Sequence, residues 1–215
     1  QEREEIQGLT KSREDYIFVP RLGLYVSENR YLQNNNWNQT QEILHKEGRR
    51  MPTIYEFVEF LKYLKSDEGK VKVKNADKIL DEILSVREPT RGEHLDAQFS
   101  TDEEIGGKNL WISYYFFGGT GDICGGMDKL AEHLDKQRLP GIDLEKWIIN
   151  HNSEGLPFPD CPNGKLHYWY PAAGRVARFE ANSSKILFDC NRDPTVSEKY
   201  LGTRYVELPK PEDLI

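Results

Sequence analysis

Cysteine is scarce: Cys124, Cys161 and Cys190 stand far apart in 215 residues. An odd number with no close pair makes neither a disulfide framework nor a zinc-type spacing, so buried free thiols are expected. The histidines (His45, His94, His133, His151, His167) are equally dispersed, with no HxH or HxxxH pair to seed a metal site. No Gly-x-Ser-x-Gly elbow anchors a serine hydrolase. No apolar run approaches the roughly twenty residues of a membrane helix. No leader segment is recognisable, and no localisation is assigned. Runs of Lys and Arg are also missing, and 29 basic against 36 acidic residues leave a net charge of −7. That balance argues against a phosphate-backbone binder. The expectations are no metal, no cofactor, no membrane insertion and no nucleic-acid partner.

The apolar content is rich in aromatics, with eleven Tyr, nine Phe and four Trp, and is enough to build one core without staples. The first fourteen residues are polar and expected to be partly disordered; 15–215 read as a single domain. "YIFVPRLGLYVSE" reads as two short strands, and "WNQTQEILHKEG" as a short amphipathic helix ended by Gly48. In "RRMPTIYEFVEFLKYLKS", Thr53 and Glu56 form a capping box, and Phe57, Phe60, Leu61 and Leu64 recur on one helical stripe. "NADKILDEILSVREP" is a second such helix, stopped by Pro89.

"GEHLDAQFS" is ambiguous between strand and turn. "NLWISYYFF" reads as a strand covered on both faces. "MDKLAEHLDKQ" has weak helical character, and "DLEKWIINH" is a helix capped by Asp143. From Pro157 the texture becomes short strands, "GKLHYWYP", "RVARFEA", "KILFDC" and "GTRYVEL". Helices followed by a strand-rich end, with little alternation, make the class α+β, with helices packed on a mainly antiparallel sheet.

Three stretches invite chemistry. "GGTGDICGG" lacks the Lys-Ser/Thr that a phosphate loop places after its glycines, and reads as a flexible loop. Glu93, His94 and Asp96 could form an acid–base set, but a solvated turn into packed aromatics is the simpler reading. In "LHYWYP", alternation puts His167 and Trp169 on one face and Tyr168 and Tyr170 on the other, as core packing or as a stacking platform; core packing is favoured.

Two distant segments together resemble one family. "WNQTQEILHKEGRRMPTIYEF" is similar to the helix–"RLPTEAEW"–helix signature of the formylglycine-generating-enzyme branch of C-type lectin folds. Arg50, Met51, Pro52, Thr53, Glu56 and Phe57 stand at its Arg, Leu, Pro, Thr, Glu and Trp. "LGTRYVE" resembles that branch's closing "LGFRLV" strand. "VARFEANSSKILFDCNRDPTVSEKYLGTR" looks like the variable segment of archaeal and candidate-phylum variable proteins of diversity-generating retroelements, in which a reverse transcriptase rewrites codons while the skeleton stays fixed. The resemblance spans about residues 15 to 207.

It implies a C-type-lectin-like domain whose segment from about 175 to 204 displays a diversifiable surface, without catalysis. Ala177, Phe179, Ala181, Cys190, Pro194, Leu201 and Gly202 would hold the backbone. Glu180, Asn182, Ser183, Lys185, Leu187, Phe188, Asp189, Asn191, Arg192, Thr195, Val196, Glu198, Lys199 and Tyr200 would form the ligand face. Phe188 and Tyr200 would be the anchors, while Arg192, Lys199 and Glu198 would steer a partner expected to be a protein or other macromolecule. Calcium is not implied, because the "EPN" and "WND" ligand motifs are missing. The alternative within the same branch is an oxidase of peptide cysteine using copper and oxygen. Cys161 and Cys190 match no arrangement of its reactive thiols.

Overall fold

The structure is a computed structural model and describes residues 15–102 and 109–213. The expectation for the first fourteen residues lies outside these. Two strands, β1 (Tyr16–Val19) and β2 (Leu24–Ser27), form a hairpin as expected. Four helices follow: α1 (Trp37–Lys46), α2 (Ile54–Lys65), α3 (Asp67–Lys72) and α4 (Ala76–Leu84). The α2 cap is reciprocal. The Glu56 backbone N–H donates to Thr53 Oγ1 (3.2 Å), and the Thr53 N–H donates to Glu56 Oε2 (2.9 Å). The short α3, capped by Ser66, was not expected from the sequence.

The remaining strands are β3 (Arg91–Thr101), β4 (Leu110–Phe117), β5 (Ile123–Lys129), β6 (Arg138–Ile142), β7 (Leu166–Trp169), β8 (Val176–Ala181), β9 (Ile186–Arg192), β10 (Leu201–Gly202) and β11 (Val206–Glu207), with helix α5 (Leu144–Ile149) after β6. The large sheet runs β5-β4-β3-β8-β9-β7-β6, with β10 lying parallel to β3. All its other pairs are antiparallel except β7 with β9. A three-stranded sheet, β1-β2-β11, joins the two ends of the described chain. The architecture is α+β, with a large, mostly antiparallel sheet. Among the described residues no helix is long and apolar enough to cross a membrane.

Helices α2 and α5 cover the middle of the sheet. The Phe57 ring lies 5.4 Å from Phe179, and Trp147 stacks on Phe188 at 4.6 Å. Trp147 is fixed in turn by its indole N–H, which donates to the Gly155 carbonyl (2.9 Å). Gly155 has φ +88°, and a Cβ there would come within 2.5 Å of the Tyr55 nitrogen, so only glycine lets this loop approach α2.

One ambiguous stretch is resolved here and three expectations are corrected. "GEHLDAQFS" is the core of β3, the longest strand of the sheet, because its first seven residues are buried between β8 and the helices. "MDKLAEHLDKQ" is not helical. Met127, Asp128 and Lys129 pair with Ser113, Ile112 and Trp111, and that ladder outweighs a weak helical pattern. The same ladder takes Ile123–Gly126 out of the expected glycine loop. Finally, β4 is not covered on both faces: only Ile112 is buried, and Phe116 is 41% exposed, because β5 is an edge strand beyond the helical layer.

Candidate functional site

Alternation along β8 sets the inner and outer faces. Ala177, Phe179 and Ala181 point into the core, as expected, and Arg178 and Glu180 point outward. Strand pairing carries the outer face sideways. Arg178 lies opposite Asp189 and His94, Glu180 opposite Leu187, and the parallel β7 brings His167 beside Leu187 and Trp169 beside Asp189. Tyr168, one residue between, is fully buried against Phe188, whereas His167 and Trp169 are half-buried on the outer face. Residues 193–200 leave the end of β9 and cross over the β8 side chains to reach β10 beside β3.

The backbone of that crossing is held by groups outside the proposed ligand set. The Trp37 N–H donates to the Pro194 carbonyl (3.2 Å). Arg30 Nη1 donates to the Tyr200 carbonyl (2.7 Å) and to that of Gly92 (2.8 Å). The Gly92 N–H also donates to Tyr200 (3.1 Å), and the Asn34 N–H donates to Leu201 (3.2 Å). Beneath it Arg178 pairs with Glu198 and, at 2.6 Å, with Glu180; the Tyr200 hydroxyl donates to Glu180 (3.5 Å). Burial alone would lower the Arg178 pKa, but Glu180, Tyr200 and Glu198 together outweigh it and raise it. Burial raises the Asp189 carboxyl, which is paired with Arg192 Nε at 3.1 Å. A small cavity of 60 Å³ remains between His94, Arg178, Arg192 and the crossing segment.

The fourteen proposed ligand residues therefore divide. Ser183, Thr195, Val196 and Lys199 are exposed, and Asn182, Lys185, Asn191, Arg192, Glu198 and Tyr200 are half-buried. Four do not fit the expected exposure. Phe188 is fully buried, because on β9 it shares its face with Cys190; two residues apart on a strand, both cannot be split between core and surface. Leu187, Glu180 and Asp189 do face outward but are buried, the last two beneath the crossing segment's ion pairs. His167, Trp169, His94 and Arg178 join the face without having been proposed for it. Trp169 and His167 carry a signal in the alternation of "LHYWYP", and Arg178 in that of "RVARFEA", whereas His94 has none.

The suggested acid–base set does not assemble. Glu93 lies on the inner face between Arg91 and Arg204. His94 lies on the outer face with Nε2 at 3.2 Å from the Asn35 carbonyl, and burial foremost pushes its pKa down to about 4. Asp96 sits where the β3–β8 register shifts, and its carboxylate takes up the Tyr115 N–H (2.8 Å) and the Gln41 amide (2.5 Å). Burial, only partly offset by the Tyr115 N–H, the Arg50 charge and the Gln41 amide, pushes Asp96 up to about 7. The folded state thus holds a proton that the unfolded chain releases near pH 4, so this stabilisation is full at low pH and is lost as pH rises through 7. Asp96→Asn is expected to match the parent near pH 5 and to exceed it near pH 8 by on the order of 2 kcal/mol in urea unfolding. The neutral amide keeps the Tyr115 bond and can donate to Gln41 Oε1, which now lacks a partner. Equal pH profiles would show that Asp96 is ionised throughout.

Two of the three thiols are buried as expected, whereas Cys124 on β5 is half-buried. Cys190 is fully buried and Cys161 nearly so, and burial raises both above the ordinary thiol pKa. No family model, no curated protein and no solved structure matches this chain.

Proposed function

We propose that this chain is a binding protein built on a C-type-lectin-like scaffold of the variable-protein kind, with a diversifiable ligand face on the outer side of β7, β8 and β9 and the crossing segment 193–200. One observation carries the reading: the backbone of that segment is anchored by Arg30, Trp37 and Gly92, and its exit at Leu201 by Asn34, none of which belongs to the face. Side chains there can change while the anchoring bonds stay. The two motifs behind the family resemblance also meet in space, since the Val206 N–H donates to the Arg50 carbonyl (2.9 Å) and Arg50 holds Glu56 with two 2.6 Å bonds. A face preorganised in this way loses little entropy on binding. Val196, Tyr200 and Trp169 supply apolar area, and Lys185 and Lys199, which form no ion pair among the described residues, steer a macromolecular partner. The oxidase alternative needs a reactive thiolate, and the raised thiols weigh against it.

Replacing Ser183, Lys185, Asn191, Val196 and Lys199 together by alanine tests the separation of display from scaffold. Each exposed change is expected to cost within about 0.5 kcal/mol, so the combined variant should keep a cooperative thermal transition within a few degrees of the parent. Loss of folding would sink the proposal. Diversification itself is tested in DNA: a noncoding near-copy of the segment, differing where the copy has adenine, should lie beside a reverse-transcriptase gene.

A further inference from the structure

Away from the ligand face, the helical layer stops short of the β4–β5 hairpin and leaves a two-lobed groove. Its lobes enclose 380 Å³ and 420 Å³ and share Arg21, Leu22, Glu56 and Phe116, which makes them continuous. Each lobe has the size of a small-molecule site.

The first lobe is aromatic and acidic. Tyr55, Tyr114, Tyr115 and Phe116 form its walls. Tyr114 is fixed at both ends: its hydroxyl donates to Asp128 Oδ2 (2.5 Å), and its ring lies so close to Gly126 that a Cβ there would approach to 3.0 Å. Of the four carboxylates at this lobe, Glu56 is ion-paired with Arg50, whose charge also acts on Asp96 under the floor. Among the described residues Asp128 and Glu154 at the rim have no ion pair, and Arg21, the basic residue among those lining the lobe, is held by Glu59 at 3.2 Å. The second lobe offers Pro20, Leu22, Leu24, Phe117 and Leu208 as apolar walls, and its two guanidinium groups, Arg21 and Arg50, are each already paired, with Glu59 and Glu56.

We propose that this groove binds a small organic cation, a guanidinium or alkylammonium group on an apolar body, with the charge among the first lobe's rings and carboxylates and the body in the second. Rings and anions converging on one cavity are the surroundings a desolvated organic cation prefers. A bare metal ion fits less well, because among the described residues no three His, Cys, Asp or Glu groups come together as ligands. The site shares no residue with the outer face of β7–β9.

The probe is phenethylguanidine, compared by calorimetry with phenethylurea, its neutral counterpart of the same shape. The guanidine is expected to bind saturably and about tenfold more tightly than the urea, the size of one desolvated cation–π contact. Asp128→Asn with Glu154→Gln, both changes at the rim, should weaken the guanidine several-fold and leave the urea unchanged. Binding should also tighten from pH 6 to pH 8. A bound cation favours ionised Asp96, which is faced by Gln41 of α1, Arg50 before α2, Glu56 in its first turn, and Tyr115 of β4. Asp96→Asn should abolish that slope. Lys199→Ala, on the opposite site, should change nothing here, which separates this test from that of the ligand face. Equal affinity for guanidine and urea, indifference to the rim variants, or no saturable binding at millimolar concentration would overturn the proposal.

Discussion

Phe188→Ala is expected to destabilise the protein by about 3–5 kcal/mol, a large share of the 5–15 kcal/mol that a domain usually has. The ring is fully buried, stacked on Trp147 at 4.6 Å and packed 5.7 Å from Tyr168, with Phe179 paired beside it across β8 and β9. Its removal leaves a cavity that α5 and the sheet cannot both close, since Trp147 is tied by its indole to Gly155. Urea unfolding followed by tryptophan fluorescence measures the loss directly. A true ligand anchor would behave differently: truncation would leave the unfolding midpoint in place and weaken only binding. A loss under about 1 kcal/mol would mean that the ring is not the centre of this core.

The second large effect is expected at Glu93→Gln. This carboxylate is completely buried, and its oxygen serves both Arg91 and the Arg204 Nε (3.2 Å). Desolvation opposes its charge, but Arg204, Arg91 and Arg30 outweigh that and lower its pKa. Arg204 is itself buried, donating also to the Ser27 carbonyl (3.0 Å) and to that of Glu28, so the group ties β3 to the β1–β2 hairpin and the C-terminal strands. Removing the one carboxylate leaves buried guanidinium groups facing each other, a cost of about 3–5 kcal/mol. Because the folded pKa is depressed, the stabilisation is present above the unfolded value and lost as pH falls through the folded one. The parent should therefore lose stability steeply on acidification, and the variant less so. An apolar triple replacement, Glu93→Leu with Arg91→Met and Arg204→Met, should recover part of the loss, since an empty cluster is less costly than a broken one. Equal acid profiles for parent and Glu93→Gln would remove Glu93 as the organising charge.

These two residues show why the site was only partly legible. The resemblance puts Phe188 among the ligand residues, whereas its two-residue spacing from Cys190 assigns both to one face of β9. Glu93 gave no such signal, because nothing near it in sequence says that Arg204 will arrive 111 residues later. Trp169 had the right alternation, but its place beside Asp189 depends on β7 pairing in parallel with β9. Residues 127–129 carried a weak helical pattern that lost to a strand ladder with β4.

The sequence by itself determined whatever is settled between near neighbours. The Thr53–Glu56 cap, the apolar stripes of α2 and α4, the in–out order of β8 and the α+β class all rest on bonds or periodicities spanning a few residues. Only the tertiary structure decided which strands are partners, which face the crossing segment covers, and where the helical layer ends to open the groove beside β4. Those choices follow from burial and pairing summed over the whole molecule, in which no single local preference is large enough to decide.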